Sequence, residues 1–312
     1  MPEGAAPSLA LACSVGGFKG VFVHGVLSAF EAAGLRADAY ATASSSVFPA
    51  VCAAIGQSDE VGLRYWRSAL HTLQQPGNGM SEVVLQSIAD SRHLLHEQLF
   101  QAGVPRFIIA TSAVKTTEGA EQTQGTEARR LGRRLLLSAA RRDRSWVDQH
   151  LQTHLFDTRA TTEEHRLTVD NIDAVIYAST RMLHAWTLPA WIASRPYIDA
   201  SYTCACPAIE MAQQGYQEVI AIATEPGILY RDIFQSEPIP TTYAGVPIHI
   251  VRPDIDLAST GTDFTSMTEE GMVVVYAYGK EKGREFLAKG VRKGLGKPLG
   301  PTHSSTKDHG IS

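Results

Sequence analysis

Short apolar runs recur along the chain, each closed by small or turn-forming residues. Ser8 to Cys13 (SLALAC) stops at Ser14 and the pair Gly16-Gly17, which predicts a buried strand entering a tight turn. Gly20 to Ala33 follows with Val23, Leu27 and Phe30 at helical spacing and Gly34 as the stop. Asp38 to Ala43 (DAYATA) predicts a second strand, which runs into the serine triplet 44–46 and a second helical segment from Val47 to Ile55. Strand, turn and helix repeated in this order imply a parallel sheet. Arg106 to Thr111, Ala174 to Tyr177, Val219 to Thr224 and Ile248 to Arg252 predict further strands, and their continuous apolar character suits a sheet covered on both faces. The polar stretch Ser112 to Thr126 between them predicts a mobile surface loop.

With 312 residues, 44% of them hydrophobic, one α/β domain over 8–294 is expected, flanked by a disordered segment 1–7 and a flexible tail 295–312. A formal charge of -4 excludes nucleic-acid binding by bulk electrostatics. Cys13, Cys52, Cys204 and Cys206 have neither disulfide-framework nor zinc spacing, so reduced thiols are expected. His150 and His154, four apart, are compatible with a shared metal but have no third ligand at a matching position; no metal and no cofactor is expected. There is no apolar run of 18 residues and no secretory leader, which places the protein in the cytoplasm or at most peripherally on a membrane.

Two strand-to-helix turns carry candidate chemistry. The first, Val15-Gly16-Gly17-Phe18-Lys19-Gly20, leaves backbone amides free for an anion. A dinucleotide site would need G-x-G-x-x-G and an acidic residue ending the second strand, whereas here the glycine spacing differs and Asp38 precedes that strand. The second turn, Thr42-Ala43-Ser44-Ser45-Ser46, occupies the position of a nucleophile elbow, although a serine-rich junction also serves simply as a helix N-cap. Far along the chain, Asp199-Ala200-Ser201 ends a short apolar segment and, alone, reads as a turn aspartate.

Taken together, these segments resemble the patatin-like phospholipase family, whose pattern is a Gly-rich turn ending in x-[RK]-G, an elbow serine about two dozen residues later, an AV-x-AS segment, here Ala174-Val175-Ile176-Tyr177-Ala178-Ser179, and a distant Asp-Gly, here Asp199-Ala200. Val15, Thr42, Ser46 and Ala200 stand where the family has glycine. The resemblance implies a three-layer α/β/α fold with a mostly parallel central sheet. It also implies Ser44 as nucleophile, Asp199 as its base, and Gly16, Gly17 and the Phe18 amide as the oxyanion hole. Lys19 falls at the family's Arg/Lys position and, with Ser45, is expected near substrate. A carboxylate beside the serine suffices as base, and the product is an acyl-enzyme.

Two further segments bear on substrate and partners. Arg181 to Trp191 (RMLHAWTLPAW), with His184 and Trp186, is expected to line an acyl pocket, although His184 also reads as a packed loop histidine. Glu127 to Arg144 reads as a basic amphipathic helix bearing Arg129, Arg130, Arg133, Arg134, Arg141, Arg142 and Arg144. Such a face is either simply solvated or a contact for anionic lipid or an acyl carrier protein. Hydrolysis of a lipid or lysolipid acyl ester, acyl transfer or thioester cleavage on a carrier-linked substrate, and a degenerate fold that binds without turnover all remain open.

Overall fold

Leucine and alanine alternate in the first strand, and that alternation sets the two faces of the sheet. In a computed structural model describing residues 8–290, strand β1 (Leu9–Cys13) turns Leu9, Leu11 and Cys13 to one face and Ala10 and Ala12 to the other. The order continues through helix α1 (Gly20–Ala32), β2 (Ala39–Ala43), α2 (Val47–Ile55), α3 (Ser58–Gln74), α4 (Met80–Asp90) and β3 (Arg106–Val114). Next come α5 (Thr117–Gln124), α6 (Ala128–Ala140), α7 (Ser145–His150), β4 (Leu151–Asp157), α8 (Ile172–Thr180), β5 (Trp191–Ile192) and β6 (Arg195–Ile198). The described chain closes with α9 (Ala208–Gln213), β7 (Glu218–Ile222), β8 (Thr242–Tyr243), β9 (Val246–Val251) and α10 (Glu269–Ala288).

The described residues form a nine-stranded sheet in the order β5-β6-β3-β2-β1-β7-β9-β8, with β4 also paired to β3. All pairings among β1, β2, β3, β7 and β9 are parallel, and β4, β5, β6 and β8 add antiparallel margins. The face carrying Leu11, Tyr40, Phe107, Ile109 and Ile220 packs under α1, α2, α3, α4 and α10. Small residues on the opposite face, Ala10, Ala12, Ala39, Ala41 and Ala221, let α9 approach closely. This is the expected three-layer α/β/α architecture with a mostly parallel sheet.

Two local expectations are overturned. Ala174 to Tyr177 is not a strand but lies within α8, whose residues 175–180 are all buried; an apolar run packed on every side carries no period to separate helix from strand. Ser112 to Thr126 is not a mobile loop. β3 continues to Val114, because Ser112 and Ala113 pair with both β4 and β6, and Thr116 then caps α5 by accepting the Gly119 amide. The expected strand Val219 to Thr224 is β7, which starts one residue and ends two residues earlier, and Ile248 to Arg252 is β9, which starts two residues and ends one residue earlier. The segments expected to be disordered, 1–7 and 295–312, lie outside the described residues. The four cysteines are buried and unpaired, and among the described residues no helix is long and apolar enough to cross a membrane.

Candidate active site

Ser44 ends β2 and begins a short 3₁₀ turn, with a backbone φ of 55°. Of the six non-glycine residues with positive φ among those described, Ser44 alone is buried; the others sit on exposed turns. A left-handed backbone on a buried serine is strain that the surroundings must hold. Ser179 of α8 holds it: its Oγ accepts the Ser44 amide at 2.9 Å and donates to the Ala110 carbonyl of β3 at 2.7 Å. The Ser44 hydroxyl thereby points at Asp199, donating to Oδ2 at 2.8 Å. The Ser45 hydroxyl lies instead beside Gly20 at the start of α1 and has no hydrogen-bond partner among the described residues.

The substituted glycine positions are accommodated by different means. Thr42 lies in the extended part of β2, paired with Cys13 and Ile109, where a β-branched residue is at ease; its buried Oγ1 has no partner among the described residues. Ser46 starts the helical turn and donates its hydroxyl to the Ser14 carbonyl, tying the elbow to the end of β1. Neither Val15 nor Ala200 has positive φ, so neither position requires glycine.

Asp199 follows β6 and is fully buried. Its Oδ1 accepts the Ser201 amide at 2.7 Å, its own amide donates to the Arg181 carbonyl at 2.9 Å, and its carbonyl accepts the Ser112 hydroxyl at 2.7 Å. Burial pushes the Asp199 carboxyl up to about 6, against the hydrogen bonds from Ser201 and Ser44 that pull it down. A carboxylate so tuned is ionised at neutral pH yet basic enough to take a proton.

The Gly-rich turn lies across the same end of the sheet. Gly17 has φ 55°, and a Cβ there would fall 1.9 Å from the Phe264 carbonyl oxygen. That oxygen accepts the Phe18 amide at 3.1 Å, which removes Phe18 from the expected oxyanion hole. Among the described residues the Gly16 and Gly17 amides have no acceptor, so these two remain available. Lys19 is also reassigned. It is buried and spends its charge on Glu225 at 2.7 Å and Asp256 at 3.2 Å, with Asp263 at 3.9 Å, clasping the segment that carries Phe264 instead of facing substrate.

An apolar recess opens beside Ser44, Ser45, Gly17 and Phe18, but its walls are not those expected. Of the Arg181 to Trp191 segment only Trp186 reaches it; Phe48, Trp66, Met80 and Val84 from α2, α3 and α4 supply the rest. His184 does not line it; it is partly buried, its ring 6.2 Å from that of Phe264. Burial first, then the charges of Arg129 and Arg133, lower its pKa. Those arginines belong to α6, which approaches so closely that a Cβ on Gly132 would meet the His184 amide nitrogen at 2.4 Å.

The basic helix is shorter than expected. Arg142 takes a left-handed φ of 57° and ends it, and Arg144 pairs with Asp148 and the buried Asp232. His150 and His154 share no metal geometry. His150 pairs with Thr116 at 2.6 Å and His154 with the Glu164 carbonyl at 2.9 Å. Ser179 was visible in the sequence only as part of a motif, and Ser112, Phe264 and the α3 and α4 residues gave no local signal. No protein-family model matches the chain, and no curated protein matches it.

Proposed function

We propose that this chain is a serine acyl hydrolase of the patatin-like kind. The observation that carries the reading is the buried Ser44 hydroxyl, donating to Asp199 at 2.8 Å from a backbone held at positive φ. Asp199 takes the Ser44 proton as Oγ attacks the ester carbonyl, and the Gly16 and Gly17 amides donate to the oxyanion. Collapse breaks the C–O bond of the ester, and the alcohol leaves with the proton from Asp199. Water then attacks the acyl-enzyme, its proton passing to Asp199 and on to Ser44 as the acid departs. The charges of Arg129 and Arg133 beside His184 support an acyl donor whose far end is anionic, as in a phosphate-bearing headgroup or carrier arm.

The test is labelling of the purified protein with a fluorophosphonate, read by intact mass for wild type, Ser44→Ala and Ser45→Ala. One adduct in wild type and Ser45→Ala but none in Ser44→Ala is expected. A folded wild type that takes no label would mean that the chain binds without turnover.

A further inference from the structure

The recess beside Ser44 measures about 30 Å³. Pockets for drug-sized ligands run to about 300–1,000 Å³, roughly ten times as much or more. The recess next to Ser44 is therefore much smaller than a long acyl chain requires. Its lining is almost wholly apolar, with Phe48, Trp66, Ala69, Met80 and Val84 among its walls. Such a surface suits a hydrocarbon chain and offers little to a polar head.

The walls are held in place. The Trp66 indole N–H donates to His24 Nδ1 at 3.0 Å, and His24 Nε2 donates in turn to the Ser58 carbonyl at 2.9 Å. An indole nitrogen can only donate, so Nδ1 must be the bare nitrogen and the ring is neutral. His24 is itself fully buried in α1 and stays neutral because burial pushes its pKa down to about 4, while its two hydrogen bonds set the tautomer. Tyr65 packs edge-on against Trp66 at 4.8 Å and lies 5.0 Å from the Phe48 ring, so three aromatic rings brace one another. To widen the recess past Trp66, a buried hydrogen bond must break and that cluster must repack.

We propose that this recess is the acyl pocket and that it selects short acyl chains, with Met80 and Trp66, the latter held by its hydrogen bond to His24, among its excluding walls. This rests on the serine-hydrolase reading of Ser44. It narrows the substrate class from lipid esters in general to esters or thioesters of short acyl groups, because the recess that the described residues form beside Ser44 is too small for a membrane-lipid chain.

The experiment compares kcat/KM for p-nitrophenyl acetate, butyrate, octanoate and palmitate in wild type and Met80→Ala. In parallel, wild-type labelling rates are taken with methyl-chain and dodecyl-chain fluorophosphonates, a readout independent of whether the variant folds. Acetate and butyrate are expected to exceed octanoate by about 100-fold or more, and the short probe to label faster by a similar factor. Met80→Ala is expected to bring octanoate to within about 10-fold of butyrate. Ser44-dependent turnover that is flat with chain length, or best on octanoate or palmitate, overturns the short pocket and leaves the hydrolase reading standing. Neither labelling nor turnover at any length overturns both.

Discussion

Ser179 accepts the amide of Ser44 although the two are 135 residues apart, and this one hydroxyl links the strained elbow to the carbonyl of Ala110 on the neighbouring strand. Ser179→Ala leaves a buried donor and a buried acceptor unpaired, at a cost of about 1–3 kcal/mol in stability. It also frees Ser44 to relax from its positive φ. The expected result is a fall in kcat of about 10- to 100-fold with KM little changed, measured on the best ester found. An unaltered kcat would show that the elbow holds its shape without Ser179.

The raised Asp199 carboxyl has two consequences with pH. In the proposed mechanism Asp199 is ionised when it takes the Ser44 proton, so activity is expected to climb through a single ionisation near pH 6 and to vanish in acid. A rate profile rising through pH 4 instead would contradict it.

Stability moves the other way. The folded carboxyl sits at about 6 and the unfolded one near 3.8, so the folded state binds the proton more tightly. The favourable contribution is full below the unfolded value and is lost as pH rises through the folded value. At pH 8 the buried charge therefore costs on the order of 2–3 kcal/mol. Asp199→Asn is expected to be inactive but more stable than wild type at pH 8, with the difference gone by about pH 4. Urea denaturation at the two pH values measures it, and a variant less stable at pH 8 counts against the assignment.

Ser46 stands where the resembled family has glycine, and here its hydroxyl serves as a strut to Ser14. Restoring the glycine is expected to destabilise the chain by about 2 kcal/mol, part from the lost hydrogen bond and part from the added backbone freedom. Ser46→Ala isolates the first contribution. If Ser46→Gly has the wild-type denaturation midpoint, the strut contributes nothing.

Arg129 and Arg133 lower the pKa of His184 after burial has done so, which makes His184 a reporter of the arginine face. Replacing both by Glu is expected to raise the His184 pKa, seen by NMR titration, and to raise KM about 10-fold for an anionic acyl donor while sparing a neutral one. An unchanged KM for both donors would separate the basic helix from substrate binding.

The first two strand-turn-helix units were legible almost residue by residue, because glycines and serines at their junctions are local signals that need no tertiary context. The pairing of Ser44 with Asp199 was legible only through a resemblance. Nothing local in either segment indicates that residues 155 apart will meet. The recess walls were not legible at all. Trp66, Met80 and Val84 lie on helices whose apolar positions look like ordinary core, and only packing turns a few of them toward the nucleophile. Phe18 and Lys19 were misjudged for a related reason, since the segment around Phe264 that occupies both arrives from near the other end of the described chain.

That late-arriving segment has a bearing on biosynthesis. During translation Ser44 emerges long before Asp199, its hydrogen-bond acceptor, and Gly17 waits until residue 264 for the carbonyl that lies against it. A nascent chain thus presents Ser44 without its partner until residue 199 has been made, and the geometry of the site is complete only once residue 264 has followed.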